Sequence, residues 1–165
     1  MAGFTGKKRE EKGGMVYEGD WVDGKFHGKG KVMSPGGSYE GDWADGVSHG
    51  KGKFIYPNGN VYEGDWVKGR QTGKGKMSYK SGSVYEGDFV DNKPHGKGKM
   101  TTEDGDVYEG DWVEAKMTGK GKFSFSDGDV YEGDFLNGAY EGQGKMTYAD
   151  GTVEEGKWED DEFLG

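Results

Sequence analysis

Rings and charges alternate along short segments of the chain with a period of two residues. In Tyr62-Glu63-Gly64-Asp65-Trp66 the Tyr, Gly and Trp fall on one side and the two acids on the other. Such alternation is typical of a half-buried β-strand. A second kind of segment alternates in the same way, with Gly-Lys-Gly-Lys followed by a ring or a methionine. The sequence therefore predicts pairs of strands, each with a ring-bearing face and a charged face.

The first kind of strand recurs at a nearly constant interval. With its Tyr taken as position 1, the next copy begins after 22 residues and each later one after 23. The copies start at Tyr17, Tyr39, Tyr62, Tyr85, Tyr108 and Tyr131, with a decayed copy at Glu154. Asn-Gly, Ser-Gly or Asp-Gly pairs close most repeats, and such pairs mark turns between antiparallel strands. Each repeat is therefore predicted to be a β-hairpin, and the shorter turn near Ser34 predicts a local irregularity.

Composition indicates that rings, and not aliphatic side chains, form the core. Leu occurs twice and Ile once, and the mean hydropathy is −1.01, so a conventional layered core cannot be filled. Of the 23 aromatic residues, 19 fall at positions 1, 5, 16 or 18 of the repeat. The exceptions are Phe4, Phe26, Tyr140 and Phe163. About thirteen strands at a spacing of ~4.8 Å predict an all-β, elongated antiparallel ribbon of tandem hairpins, on the order of 60 Å long.

The repeats also predict the domain organisation. Residues 15–165 form one array of six full repeats and a C-terminal partial repeat, whose acidic run after Trp158 is expected to cap the sheet edge. Residues 1–14 contain a run of charged side chains. This composition predicts either a mobile tail or a leading strand.

Charge and residue content exclude several classes of protein. The net charge of −9 and the pI near 4.9 argue against a nucleic-acid partner, because phosphate binding needs a basic surface. No apolar run approaches the length of a membrane span. The absence of Cys excludes disulfides and thiolate metal sites and favours a cytoplasmic location.

Residues that could carry catalysis or bind a metal are better explained by structure. The two acids of each first strand resemble a glycosidase pair, but they recur in every repeat beside lysines and predict a solvated charge ladder. His27, His49 and His95 share one repeat position, so neighbouring copies lie about 10 Å apart and cannot share one ion. We expect a structural role for them at the turn, and we expect no enzyme activity, metal or cofactor.

The motif resembles a known repeat family. Tyr-Glu-Gly-Asp-Trp, then Asp-Gly-Lys-Phe-His-Gly-Lys-Gly and a closing Asp-Gly at a period of about 23 residues are similar to the MORN repeat (membrane occupation and recognition nexus). The resemblance implies a single-layered, twisted antiparallel sheet with a grooved aromatic face. It also implies a non-catalytic role in binding proteins or, in some members, phospholipids, with cytoskeletal or membrane association. The His before Gly-Lys-Gly is replaced by Thr72, Thr118 and Glu141 in three repeats.

The ring face is the candidate binding site. With no helix to cover it, we expect this face to be partly exposed to water, and an aromatic strip of this length exceeds what monomers usually expose. The rings either pack only on one another or form a groove that binds a helix or extended peptide of a partner protein. The predicted contacts are Tyr39, Trp43, Tyr62, Trp66, Tyr85, Phe89, Tyr108 and Trp112.

Two alternatives remain open for the sequence. The chain could be a tether to anionic phospholipid, with the lysines of the second strands reaching the headgroups, although the net negative charge opposes this. These lysines are Lys51, Lys53, Lys74, Lys76, Lys97 and Lys99. The chain could also be a homodimerising structural module, paired through terminal strands or ring faces.

Overall fold

The computed structural model describes residues 3–165, which form two compact units, 3–80 and 81–165. All of the regular structure is β-strand, as the alternation predicts, and none of residues 3–165 lies in a helix long and apolar enough to cross a membrane. Residues 1 and 2 of the predicted tail lie outside the described residues. The division between the units falls within the predicted array.

The first unit is an open antiparallel sheet in which each strand pairs with the next along the chain. Its strands are β1 (Gly6–Lys12), β2 (Met15–Val22), β3 (Lys25–Ser34), β4 (Gly37–Ala44), β5 (Val47–Ile55), β6 (Val61–Val67) and β7 (Arg70–Ser78). The charged segment before residue 15 is therefore strand β1. It pairs along its whole length with β2, from Gly6 opposite Trp21 to Lys12 opposite Met15.

The second unit has the same construction. Its strands are β8 (Val84–Val90), β9 (Lys93–Thr101), β10 (Val107–Val113), β11 (Lys116–Ser124), β12 (Val130–Leu136), β13 (Ala139–Thr147), β14 (Val153–Glu159) and β15 (Glu162–Phe163). The short strand β15 folds back on β14, where Phe163 contacts the Trp158 ring and Leu164 N donates to Lys157 O at 2.8 Å.

Two kinds of turn connect the strands. Within each hairpin a two-residue turn has positive φ at both residues, as in Asp23 (49°) and Gly24 (76°), which matches the right-handed twist of the strands. Between hairpins the loop is longer, as at Tyr56–Asn60, where only Gly59 has positive φ. The expected irregularity after the first repeat is confirmed, because β3 is one residue longer than the other second strands and only two residues separate it from β4.

The register shifts in each full hairpin opposite positions 3 to 5 of the first strand, where one residue of the first strand faces three of the second, so the extra residues of this β-bulge lie in the second strand. In β6 the register shifts between Gly64 and Trp66, and the carboxylate of the intervening Asp65 turns to accept from Lys74 N at 3.0 Å. Gly73, opposite, has φ of 89°, and a Cβ there would lie 2.9 Å from Asp65 Oδ2. The recurring Gly at position 12 is therefore required by the bulge.

The core of each unit is a ladder of edge-to-face rings. Tyr62 lies over the next strand, so that a Cβ on Gly75 would lie 2.5 Å from its ring, and its hydroxyl donates to Asp65 O at 2.9 Å. Trp66 Nε1 donates back to Gly52 O of the preceding hairpin at 3.1 Å. The Trp66 ring meets both Tyr62 and Tyr39, with centroids 5.3 and 5.1 Å apart, in the T-shaped geometry that aromatic pairs favour.

The polar atoms of this ladder are satisfied within the sheet. The position-1 tyrosines all donate to the carbonyl three residues ahead, at 2.7–2.9 Å. Burial, with the nearby Asp111 charge, raises the pKa of Tyr108 to about 12. The hydroxyls are therefore protonated donors at neutral pH. We call the rings at positions 1 and 5, with their hydrogen bonds to the backbone, the frame, and this frame is a fixed element of the core.

Candidate functional site

The ring face does not expose the residues that the sequence placed at its centre. Seven of the eight predicted contacts are buried, from 0% exposure for Tyr62 and Tyr85 to 6% for Trp66, and Trp43 is partly exposed. The expectation of a partly wet face is wrong for these seven, because each Tyr lies flat across glycine backbone while each Trp stands edge-on between two tyrosines. The buried rings at positions 1 and 5 form the lowest layer of the ring face, which we call its floor. Whether a partner touches them stays a prediction.

Side chains at position 10 lie above this floor. Position 10 is paired with position 5 across the hairpin, as in Trp21 opposite Phe26. Phe26 stacks on Tyr17 with centroids 3.7 Å apart, and Tyr140 stacks on Tyr131 at 3.9 Å. In the other repeats this position holds Ser48, Gln71, Pro94 and Met117. The frame is thus constant, whereas the side chain placed on it changes from repeat to repeat.

Sequence reasoning missed position 10, although one signal was present. Phe26 and Tyr140, two of the four aromatic residues outside the expected positions, occupy this same place in the first and sixth repeats. Two exceptions at one repeat position indicate a third ring-bearing site in the motif. The other four residue types at this position concealed it.

An open cavity lies on the ring face of the second unit, and we call it the Met117 cavity. Its volume is about 310 Å³. Its ring and thioether lining comes from three strands, β9, β10 and β11, and polar groups lie at its margin. The lining residues are Met100, Thr102, Tyr108, Trp112, Ala115, Lys116, Met117, Phe123, Asn137 and Gly138. The structure thus brings the predicted contacts Tyr108 and Trp112 together beneath residues that the sequence did not single out.

The first unit has a ring-face cavity of similar size at its first hairpin. Its volume is about 320 Å³, and Tyr17, Trp21 and Phe26 line it. Glu10 and Lys12 of β1 also line it. Its margin therefore has more charged side chains than that of the Met117 cavity, where Lys116 is the one charged lining residue. The predicted contacts Tyr39, Trp43, Tyr62 and Trp66 are not among its lining residues.

Partly exposed rings at positions 16 and 18 continue the ring face toward the turns between hairpins. Phe54 meets Tyr56 edge-to-face at 4.6 Å, and Phe123 meets Phe125 at 4.6 Å. These rings retain accessible surface, unlike the position-1 tyrosines. An incoming side chain can therefore reach these rings, as it can the partly exposed Phe26, Trp43 and Tyr140.

The opposite face carries the predicted headgroup lysines. Lys51 pairs with Asp65 and Lys97 with Asp111, while Lys53 lies 3.5 Å from Glu63. Lys74 and Lys76 lie on β7, and Lys99 lies on β9 opposite Glu86 and Glu109. The lysine hydrogen bond and a backbone N–H hold the pKa of the Asp65 carboxyl below its usual value. All six lysines are therefore interleaved with acids, which reduces the net positive charge of this face.

Two of the three histidines, His49 and His95, lie beside the turns and contact the next hairpin. His49 Nδ1 accepts from Lys68 N at 3.4 Å, and His95 Nδ1 accepts from Glu114 N at 3.3 Å. Thr118 Oγ1 accepts the equivalent bond from Asn137 N at 3.0 Å. The expected structural role of His49 and His95 at the turn is therefore confirmed. Within residues 3–165 no three His, Asp or Glu side chains are grouped to hold a metal ion.

Comparison with known proteins identifies the repeat. A family model described as "MORN repeat" matches six consecutive segments, 17–38, 39–61, 62–84, 85–107, 108–130 and 131–153. These boundaries coincide with the Tyr at position 1 of each repeat. No curated protein matches the sequence.

Two solved structures have weak similarity. One is the SAS-4 (dCPAP) TCP domain of Drosophila melanogaster in complex with a proline-rich motif of Ana2 (dSTIL), with 16% identity over 92% of this chain and 90% of that one, and a TM-score of 0.25. The other is a streptogramin B lyase, with 11% identity over 96% of this chain and 84% of that one, and a TM-score of 0.21. At these TM-scores neither structure supports a conclusion about this chain.

Proposed function

Because the chain belongs to the MORN-repeat family, we propose that it is a non-catalytic scaffold that binds a helix or extended peptide of a partner protein along the ring face. MORN repeats are typically protein- or lipid-interacting. Of these two classes of ligand, we propose a protein. The observation that carries it is the Met117 cavity, an open concavity above a floor whose Tyr108 hydroxyl and Trp112 Nε1 are already hydrogen-bonded within the sheet.

The chemistry of the cavity suits an apolar side chain. Met100 and Met117 supply flexible thioethers that adapt to the shape of a ligand, and Phe123 supplies a rigid wall. A preformed floor reduces the entropy that is lost when a partner binds. A helix or extended segment that places one apolar residue in the cavity would anchor there, with the polar margin meeting its neighbours.

Position 10 would supply selectivity. The rings at positions 1 and 5 are nearly constant, whereas the side chain at position 10 differs from repeat to repeat. Met117 lines an open cavity, whereas Gln71 and Pro94 are buried at the same position. A partner that fits Met117 would not fit the equivalent place at Pro94 or Tyr140. Differences of this kind discriminate between partners without changing the fold.

Site-specific crosslinking tests the proposal. A photoreactive amino acid placed at Met117, on the ring face, is compared with one at Val113, which is 44% exposed, is the last residue of β10 and lies on the opposite face. We expect crosslinks to a defined segment of one partner protein from position 117 and none to that segment from position 113.

Affinity measurements with the captured segment complete the test. A synthetic peptide of that segment should bind wild-type protein and the Val113→Asp variant equally, and Met117→Asp should weaken binding by about tenfold or more, equivalent to ~1.4 kcal/mol. Far-UV circular dichroism of both variants checks that the sheet is intact. Equal binding by M117D and V113D, with both folded, would contradict the proposal.

A further inference from the structure

Charge is divided unequally between the two units. Residues 1–80 contain 14 Lys and Arg against 10 Asp and Glu, a net charge of +4, whereas residues 81–165 contain 8 against 21, a net charge of −13. Much of the difference lies in the turns between hairpins. Asp127 and Asp129 of the second unit stand where Asn58 and Asn60 stand in the first. The first unit thus has an excess of cations in a chain that is acidic as a whole, which is a reason to look for an anionic ligand there.

The charged face of the first unit has a channel, which we call the lysine channel. Its volume is about 1020 Å³, and it crosses strands β1 to β5. Its floor is backbone, because Gly19, Gly30 and Gly41 follow one another in register across the sheet. The charged side chains that line it are Lys7, Arg9, Glu18, Lys29, Lys31, Glu40 and Lys53, whereas the Lys8 ammonium lies over the Trp21 ring on the opposite face. Five of the side chains that line the channel are therefore cationic and two are acidic.

Lys7 and Lys29 form one wall of the channel, Lys51 on β5 continues their row beyond the lining residues, and the acidic neighbours of all three are recessed. Asp20 lies between Lys7 and Lys29, and Asp42 between Lys29 and Lys51. The three lysine side chains are 71–86% exposed, whereas the carboxylates paired with them are 30–33% exposed. Each of these two acids is held inward by a backbone N–H, from Lys29 to Asp20 and from Lys51 to Asp42. The ammonium groups therefore form the outermost layer of this wall.

The row has a regular spacing. Lys7, Lys29 and Lys51 lie on alternate strands β1, β3 and β5, so successive ammonium groups are separated by two strand spacings, about 9.6 Å. A polyproline II helix rises ~3.1 Å per residue and has three residues per turn, so every third side chain recurs on the same side after about 9.3 Å. The two distances agree to within a few tenths of an ångström.

We propose that the lysine channel binds an acidic polypeptide segment in the polyproline II conformation, with a carboxylate at every third residue, lying across the strands over the glycine floor. The walls are residues two apart on each strand, roughly 7 Å from each other, which admits a single extended chain. A flat lipid surface does not enter a groove of this width. The exposed ion pairs already present are weak, so an incoming carboxylate can share the ammonium groups.

The second unit supplies a matched control. Lys97 and Lys120 occupy the same repeat position as Lys29 and Lys51 and make the same pairs, with Asp111 and Asp134. The next member of this row is Gln143, which carries no charge. The row is therefore shorter, in a unit with a net charge of −13, and we expect it not to bind an acidic peptide.

Fluorescence anisotropy with two labelled peptides tests the proposal on the full chain. One peptide consists of repeated Glu-Pro-Pro triplets, and the other has the same composition with all glutamates at one end. We expect the triplet peptide to bind at least about fivefold more tightly, in a salt-dependent manner. Lys29→Glu with Lys51→Glu should weaken its binding about tenfold or more, and Lys97→Glu with Lys120→Glu by less than about twofold. Lys29→Gln with Lys51→Gln provides a milder variant if charge reversal unfolds the sheet.

Four outcomes would overturn the proposal. They are equal affinity for the two peptides, equal effects of the two double variants, binding to phosphatidylserine vesicles with none to the triplet peptide, and self-association that depends on Lys29 and Lys51 with no peptide binding. Because the channel lies on the charged face of the first unit and the Met117 cavity on the ring face of the second, M117D should leave the anisotropy titration unchanged. Failure here is therefore distinguishable from failure of the proposed function.

Discussion

The ring face and the charged face are formed by the same strands, yet they contribute differently to the stability of the protein. On the ring face, Tyr62 and Trp66 are almost fully buried, and each donates a hydrogen bond to the backbone. On the charged face, Lys51 meets Asp65 in a pair whose lysine is 71% exposed. Buried rings stabilise by several kcal/mol each, whereas exposed ion pairs contribute about 0–1 kcal/mol. The ring face therefore supplies most of the stability of the sheet. The net charge of the charged face can differ between repeats with little effect on stability.

The largest expected effect comes from putting the same residue on each face of one strand. Gly75→Val adds a side chain under the Tyr62 ring, where even a Cβ would lie 2.5 Å from ring atoms. We expect a loss of about 3 kcal/mol in the free energy of unfolding, although Val is the better strand former. Lys76→Val, one residue along on the opposite face, should change it by less than ~0.5 kcal/mol. Urea titrations of both variants measure the difference, and similar midpoints would refute the division of roles between the faces.

A smaller effect isolates one hydrogen bond of the ladder. Trp112 Nε1 donates to Gly98 O at 3.1 Å, whereas Phe135 and Phe89 occupy the same repeat position without such a donor. Because Phe already fits this place, Trp112→Phe should remove the bond with little loss of packing, at a cost of about 1 kcal/mol. Thermal unfolding followed by near-ultraviolet circular dichroism tests this. A loss as large as that of Gly75→Val would mean that the indole ring, rather than its N–H, is the main contribution.

The smallest expected effect is the pH dependence of the charged face. The hydrogen bonds from Lys29 and from Lys51 N hold the pKa of the Asp42 carboxyl below its usual value. Since the folded state lowers this pKa, the stabilisation is present above the unfolded pKa of about 4 and is lost as the pH falls through the folded value. Asp42→Asn keeps an acceptor for Lys51 N and removes the charge. We expect it to cost less than ~1 kcal/mol at neutral pH, and to cost nothing once the carboxyl of the wild type is protonated.

That last prediction can be checked by comparing the two proteins along a pH series. The difference in unfolding free energy between wild type and D42N should shrink with acidification and also with added salt, because the pair is exposed. A difference that is constant with pH would indicate that the effect of the substitution is steric and does not arise from the charge.

The sequence predicts the strands and their faces well because alternation is a local property. Tyr62 and Trp66 lie on one face, and Glu63 and Lys76 on the other, as the period of two requires. The sequence does not predict how deeply each ring is buried. Tyr62 is inaccessible because its ring crosses to a glycine on the neighbouring strand, and that relation exists only after the hairpin has paired. The predicted contacts were therefore the right rings for the core and the less accessible rings for a partner.

Turn chemistry shows a similar limit. Asp-Gly and Asn-Gly predicted hairpin turns, but at Asn58-Gly59 only the glycine has positive φ, in the longer loop between repeats. The two-residue turns with two positive φ values include Glu114 and Ala115, which have no glycine to mark them. Pairing of the strands on both sides of the turn imposes positive φ on Glu114 and Ala115, residue types that rarely adopt it.

Where position 5 is Trp, the indole N–H of one hairpin depends on a carbonyl of the strand before it. Trp43 donates to a carbonyl of β3, and Trp21, in the first full repeat, finds its acceptor on β1, at Lys8 O. A hairpin cut out alone would keep its tyrosine cradle but would leave an indole N–H without an acceptor. Each hairpin with a Trp at this position is therefore completed by the strand that precedes it, and β1 has this role for the first full repeat.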